Sequence, residues 1–144
     1  MYRYLTCESV GSGHPDKVAD RISDTILDFL LKKDKNTKAG IEVLVSHQKI
    51  IVAGEVFSET YFDSVVISYL VCNALKDIGY IDEHDRIVPR CGINEDFEII
   101  NLIKSQSPDI RKGVVRGLDE IGAGDQGMMI GYATNDTESK LPLP

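Results

Sequence analysis

The sequence predicts an α+β fold, in which a mixed β-sheet carries helices packed on one of its faces. One segment repeats apolar side chains with the 3.6-residue period of an amphipathic helix, and a second begins and ends at residues that suit helix caps. Around them lie segments rich in Val and Ile, which is typical of strands. The predicted order is strand, helix, two strands, helix and two or three further strands. A length of 144 residues with 42% hydrophobic side chains suffices for one ordinary core.

A short strand and a long helix are predicted first. Tyr2 to Glu8 is typical of a strand, and Gly11-Ser12-Gly13 interrupts it. The helix is expected from about Pro15 to Lys33, because proline suits the first helical turn and the apolar side chains form one stripe. That stripe comprises Val18, Ile22, Thr25, Ile26, Phe29 and Leu30.

A β-hairpin and a second helix follow. The hairpin joins Lys38–Ser46 to Lys49–Ser58 across His47-Gln48, since both segments are rich in Val and Ile. The second helix is expected from Asp63 to Gly79. Asp63 suits the N-cap position, and Gly79 suits the end of a helix.

The rest of the chain is predicted as strands separated by a loop. Ile87–Ile93 and Phe97–Lys104 alternate well enough to be strands, and Met128–Thr134 is expected to form another. Residues 105–120 are polar, contain two glycines and include Pro108. We therefore expect a mobile loop there.

Composition excludes several classes of protein. A formal net charge of −7 argues against nonspecific nucleic-acid binding, which requires clustered Lys and Arg. No run approaches the roughly 18 apolar residues of a membrane span. Met1-Tyr2-Arg3-Tyr4 lacks the features of a secretory signal, so a cytoplasmic location is expected. Cys7, Cys72 and Cys91 lack metal-type spacing, and we interpret them as reduced structural thiols.

The two faces of the hairpin differ in chemistry. Pairing about His47-Gln48 places Glu42 opposite Ala53 and Gly40 opposite Glu55, so the two glutamates lie diagonally on one face. The same face also carries Leu44, Ile51 and Ala53. This much apolar surface indicates that another domain or subunit covers the face, with the carboxylates kept for cations or a substrate amine. Two ordinary surface glutamates remain an equally acceptable interpretation.

Two motifs far apart in the chain point to a polyphosphate ligand. The glycines of Gly122-Ala123-Gly124-Asp125-Gln126-Gly127 let backbone amides approach an anion. His14-Pro15-Asp16-Lys17 places an imidazole and a carboxylate at a helix start, where a phosphate and its bridging cation are readily held. Each residue also has a simpler explanation, since Asp16 offsets the helix dipole and His14 and Lys17 suit a solvated loop and helix.

The glycine-rich run also satisfies G-x-G-x-x-G, which raises the alternative of a nucleotide-binding oxidoreductase. Its context does not fit, because charged residues precede it and the strand-like Met128–Tyr132 follows where a helix should begin. No Lys-Ser or Lys-Thr closes the run as in a Walker loop. We therefore rank this alternative last.

Four motifs occur in one order along the chain. They are Gly13-His14-Pro15-Asp16-Lys17, Gln106-Ser107-Pro108-Asp109-Ile110, Gly122-Ala123-Gly124-Asp125-Gln126-Gly127 and Gly131-Tyr132-Ala133-Thr134. Together with glutamates at the hairpin positions, they resemble the amino-terminal part of the S-adenosylmethionine synthetase family, the methionine adenosyltransferases. The resemblance implies a transferase that joins methionine to the adenosyl group of ATP and releases phosphate and pyrophosphate.

The resemblance also implies roles for individual residues. His14 resembles the catalytic histidine at the ATP polyphosphate, and Asp16 a magnesium ligand. Glu42 resembles the carboxylate of a potassium site. Glu55 and Gln106 resemble residues that bind methionine. Asp125 resembles an acidic residue that contacts both methionine and ATP. Gln106 to about Gly117 resembles a gating loop over the active site, although Lys112-Gly113-Val114-Val115-Arg116 departs from the family's usual loop sequence.

The family has three similar α/β domains, and its tight dimers pack sheet against sheet with active sites between subunits. The resemblance therefore implies a homodimer or a dimer of dimers. It also implies an amino-terminal fragment with an α/β domain (residues 1–104), a mobile active-site loop (105–120), and the glycine-rich loop and first strand of a truncated domain (121–144). Alone, such a fragment lacks the family's cationic phosphate clamp, so little or no activity is expected. The alternative is a noncatalytic binding or interaction module derived from the same domain.

Overall fold

The computed structural model describes Tyr4, Thr6, residues 8–88, residues 96–105, Met128 and residues 130–142. The chain divides into two compact units, one formed by Val10–Gln106 and the other by Met1–Ser9 with Ser107–Pro144. Within the described ranges, no helix is both long and apolar enough to cross a bilayer.

The unit Val10–Gln106 contains five elements that together form the predicted α+β arrangement. They are α1 (Pro15–Lys33), β1 (Lys38–Ser46), β2 (Lys49–Phe57), α2 (Ser64–Ile78) and β3 (Glu98–Ser105). The sheet order is β1-β2-β3, with β1 antiparallel and β3 parallel to the central strand β2, so the sheet is mixed. Helices α1 and α2 pack against each other and against the sheet.

Helix α1 has the predicted bounds because its apolar stripe meets the core. Val18, Ile22, Ile26 and Leu30 lie one turn apart and are fully buried. Burying each of these side chains stabilises the fold by about 1.5–3 kcal/mol relative to exposure. At the other end, the backbone N–H of Asp34 donates to the carbonyl of Leu30, which closes the last turn.

Helix α2 begins and ends through the two caps expected from the sequence. The Asp63 carboxylate accepts a hydrogen bond of 2.9 Å from the backbone N–H of Val66, and this bond holds the pKa of Asp63 below its usual range. Gly79 adopts φ 97°, a left-handed conformation that glycine accommodates, and its N–H donates to the Leu75 and Lys76 carbonyls.

The hairpin register is the predicted one. Gly40 pairs with Glu55 and Glu42 with Ala53, across a turn in which His47 has φ 48°. The other face of the hairpin supplies Ile41, Val43, Val45, Ile50, Val52 and Val56 to the core beneath the helices. The helices therefore cover one face of the sheet, which confirms the predicted layering, and the glutamates lie on the opposite face.

The described residues of three other predicted strands do not form strands. Ile87 forms only an isolated bridge with Ile81, because the Asp82 carboxylate accepts from the backbone N–H groups of His84 and Arg86 and bends the chain into a tight turn. Met128 and residues 130–134 are not in a strand, which corrects the prediction there. A strand requires a partner strand, and among the described residues the backbone hydrogen bond of this segment is a single local one, from Thr134 N–H to the Lys140 carbonyl. Tyr4, Thr6 and Glu8 are likewise not in a strand.

Val88 is described and is not in a strand, whereas the other residues of these predicted strands lie outside the described ranges, as do residues 106–120 of the predicted mobile loop. Of the cysteines, Cys72 is free and half-buried on α2, and burial raises the pKa of its thiol. A thiol that resists ionisation agrees with the expected structural role. Cys7 and Cys91 lie outside the described ranges.

Candidate functional site

His14 forms the start of α1. Its backbone is extended, with φ −64° and ψ 135°, and its side-chain Nδ1 accepts a hydrogen bond of 3.2 Å from the backbone N–H of Asp16. An imidazole nitrogen that accepts a hydrogen bond carries no hydrogen, so the neutral ring has its hydrogen on Nε2. His14 is 43% exposed, and its Nε2–H is the donor this ring offers to a ligand.

Asp16 lies in the first turn of α1 with its carboxylate 94% exposed, and its Oδ2 is 4.0 Å from Nδ1 of His14. The cap is the imidazole of His14, which leaves the oxygens of Asp16 available. Lys17 pairs with Asp20 at 3.7 Å, which matches the expected solvated helix residue. The end of α1 thus combines an N–H donor, a carboxylate and the positive end of a helix dipole.

Asp16 has the chemistry of a shared metal ligand rather than of a complete protein site. In the described part of the chain, no three His, Cys, Asp or Glu side chains gather in a group that could hold a metal ion. Mg²⁺ usually keeps several water ligands and is bound by one or two carboxylates together with substrate phosphates. A single exposed carboxylate beside an anion-binding helix end fits that pattern.

The second group of candidate residues lies on the face of the sheet opposite the helices, which we call the outer face. Parallel pairing of β3 with β2 extends this face by one strand and sets Leu102 beside Ala53 and Lys104 beside Glu55. The outer face includes Glu42, Leu44, Ile51, Ala53, Glu55, Ile100, Leu102 and Lys104. Leu44 is 59% and Leu102 54% exposed, so this face combines exposed apolar side chains with the two carboxylates.

The structure therefore forms two pairs among the predicted site residues. His14 and Asp16 adjoin at the start of α1, and Glu42 and Glu55 share the outer face, on the side of the sheet away from α1. The sequence analysis missed Lys104, because its position beside Glu55 depends on the parallel β2–β3 pairing. Gln106 and Asp125 lie outside the described ranges.

Comparison with known proteins gives one consistent result. The model of the S-adenosylmethionine synthetase N-terminal domain matches residues 2–108, and that of the central domain matches residues 120–144. The S-adenosylmethionine synthase of Mycoplasma capricolum is 45% identical over 142 residues, which are 98% of this chain and 34% of that protein. The synthase of Christiangramia forsetii is 46% identical over 145 residues, or 99% of this chain and 32% of that protein.

A solved structure agrees with these matches. An unusual S-adenosylmethionine synthetase from Campylobacter jejuni superposes with a TM-score of 0.73 and 35% sequence identity. The superposition covers 92% of this chain and 31% of that one. The chain thus spans about a third of the length of the relatives that it matches.

Proposed function

Because the chain belongs to the S-adenosylmethionine synthetase family, we propose that it supplies the amino-terminal part of a site that forms S-adenosylmethionine from methionine and ATP. The observation that carries this proposal is the pairing at the start of α1. There the Nε2–H of His14 and the oxygens of Asp16 are both available to a polyphosphate and its cation. The site works where ATP and methionine are present, so we place it in the cytoplasm.

The chemistry of this reaction rests on alignment and on charge. The sulfur of methionine donates its electron pair to C5′ of the ribose, the bond from C5′ to oxygen breaks, and triphosphate leaves with those bonding electrons. The triphosphate is then hydrolysed to phosphate and pyrophosphate. A thioether sulfur needs no base to act as a nucleophile, so stabilising the negative charge on the leaving oxygens is the main requirement.

The residues at the start of α1 suit that requirement. His14 donates its Nε2–H to an oxygen of the polyphosphate, and the amides of the first helical turn add their positive partial charge. Asp16 would supply a carboxylate ligand for Mg²⁺, which when bound would offset the charge of the phosphates. Removing one such donor from a preorganised site usually lowers kcat by about 10²–10³.

The outer face provides the other proposed contacts. Glu42 is exposed and offers a hard oxygen ligand for K⁺. Glu55 is half-buried, so its carboxylate has an environment in which it binds the ammonium group of methionine more strongly than in open water. We assign Gln106 to methionine and Asp125 to both methionine and ATP, as the family resemblance implies.

A second copy of the chain is the proposed cover of the outer face, as in a homodimer or a dimer of dimers. The proposal is supported by the exposed apolar surface around Leu44 and Leu102, which a partner would remove from water. No membrane or nucleic-acid partner is proposed.

Replacing Leu44 with aspartate tests this interface. We define the joined protein as this chain followed by the remaining two thirds of a solved relative. In the joined protein, Leu44→Asp is expected to weaken dimerisation at least about tenfold, since it buries an unpaired charge. Val65→Asp is the matched control, because Val65 is 76% exposed on α2, away from the outer face. Sedimentation velocity would contradict the proposal if both variants dimerise like the unsubstituted protein.

The function itself is tested by assaying S-adenosylmethionine formation. The joined protein is expected to turn over, and the 144-residue chain alone to be at least about 10³-fold slower, because binding of triphosphate requires compensating charge. The chain carries a net charge of −7, and Lys17 at the start of α1 is already paired with Asp20. A folded joined protein without activity would refute the transferase and favour the binding module. Comparable turnover by the 144-residue chain alone would refute the proposal that this chain supplies only part of the site.

A further inference from the structure

Tyr80 connects the end of α2 to the segment that precedes His14. Its hydroxyl donates a hydrogen bond of 2.8 Å to the carbonyl oxygen of Gly13, across 67 residues of sequence. Tyr80 is itself held by the backbone, because its N–H donates to the Leu75 carbonyl and its carbonyl accepts from the Val88 N–H, both at 2.9 Å. The hydroxyl therefore extends from a fixed point of the fold.

The bond acts on the peptide group that carries His14. The Gly13 carbonyl and the His14 N–H belong to one planar peptide unit. Tyr80 binds its oxygen, and the Gly11 carbonyl accepts from its N–H at 3.0 Å. Both polar ends of the plane are thus hydrogen-bonded, which fixes the plane to which the Cα of His14 is attached.

The Tyr80 ring lies beside the backbone of Gly13. A Cβ placed on Gly13 would lie 3.4 Å from the Tyr80 hydroxyl oxygen and 3.7 Å from its Cε2, which are ordinary van der Waals distances. A segment with glycines at both positions 11 and 13 has high intrinsic freedom, so a contact from a distant element restricts it strongly.

We propose that Tyr80 is a positioning residue for His14. By holding the Gly13–His14 peptide plane, its hydroxyl keeps the imidazole where Nδ1 accepts from the Asp16 N–H and Nε2–H is directed to a ligand. That the ligand is a polyphosphate rests on the proposed function, whereas the orientation of the ring does not.

Removing only the hydroxyl, with Tyr80→Phe, tests the proposal in the 144-residue chain. At about pH 8.5, where an ordinary imidazole is neutral, ¹⁵N NMR distinguishes the nitrogen that carries hydrogen from the one that accepts. In Tyr80→Phe, the ¹⁵N signals of Nδ1 and Nε2 of His14 are expected to move toward each other, because the two tautomers mix. Hydrogen exchange of the Asp16 backbone amide is expected to become about tenfold faster. Tyr69→Phe, on the exposed side of α2, is the matched control and is expected to leave both unchanged.

A purely structural hydroxyl would lower the unfolding temperature without altering the His14 signals. Spectra of Tyr80→Phe that superpose on those of the unsubstituted chain would therefore overturn the proposal. A titration with Mg²⁺ and tripolyphosphate tests the proposed function separately. This titration uses the joined protein, which supplies the compensating charge that the chain alone lacks. If the His14 Nε2 signal of the joined protein does not respond, the polyphosphate role fails, while the comparison of Tyr80→Phe with Tyr69→Phe in the 144-residue chain still decides the role of Tyr80.

Discussion

Replacing Gly54 with alanine is expected to destabilise the fold by about 3–5 kcal/mol, through overpacking and a strained backbone. Gly54 has φ 127°, a region that side chains with a Cβ rarely adopt. Its added Cβ would lie 2.0 Å from the carbonyl oxygen of Gly40 and 3.2 Å from the Cα of Ile41. Both are backbone atoms of the paired strand β1, so they move only if the β1–β2 ladder is disturbed. Glu55 follows directly and would move with it.

Gly40→Ala is the matched control for this substitution. It lies in the neighbouring strand, and a Cβ at Gly40 meets no atom within 4 Å. It is expected to be neutral or to stabilise by about 0.5–1 kcal/mol, because alanine has less freedom than glycine in the unfolded chain. Urea unfolding measures both variants, provided the slopes agree. Equal midpoints for the two would show that the Gly54 conformation is not required.

Replacing His14 with asparagine is expected to lower kcat of the joined protein by about 10²–10³. Asparagine is a favoured N-cap residue, so α1 should still begin at Pro15. The substitution therefore removes the Nε2–H donor while retaining the helix cap. It separates the proposed role of His14 in binding the polyphosphate from its role in capping α1. Circular dichroism checks the helix content, and steady-state kinetics with saturating ATP and methionine measures kcat.

His47→Asn is the control for the loss of an imidazole. His47 lies in the hairpin turn with φ 48°, a left-handed conformation that asparagine tolerates well. The kcat of the joined protein with His47→Asn is expected to stay within about twofold of the unsubstituted value, as for surface changes far from a site. If His14→Asn also stays within that range, the imidazole of His14 does not stabilise the leaving group.

Local signals made most of the fold predictable from sequence. The first helix follows from its apolar periodicity, and the second from the caps at Asp63 and Gly79. The hairpin follows from two Val- and Ile-rich segments on either side of His47-Gln48. The parallel pairing of β3 with β2 was not predicted, because it joins segments far apart in sequence and no local residue specifies it. Ile87 was assigned to a strand because alternation alone does not reveal the turn that Asp82 stabilises.

The candidate site was predictable to a similar extent. The residue types at His14 and Asp16 indicated a polyphosphate, but the sequence did not show that the imidazole of His14 forms the cap and leaves Asp16 uncommitted. The position of the glutamates on one face followed from the period of a strand. The Tyr80 hydroxyl was unpredictable because it contacts Gly13 from 67 residues away.

The central claim is that the start of α1 holds the polyphosphate through His14 and its cation through Asp16. The most direct measurement is a crystal structure of the joined protein with Mg²⁺ and a non-hydrolysable triphosphate. We expect a phosphate oxygen at about 2.7–3.2 Å from the His14 Nε2 and Mg²⁺ at about 2.0–2.1 Å from an Asp16 oxygen. A triphosphate bound elsewhere, with neither residue in contact, would contradict the account.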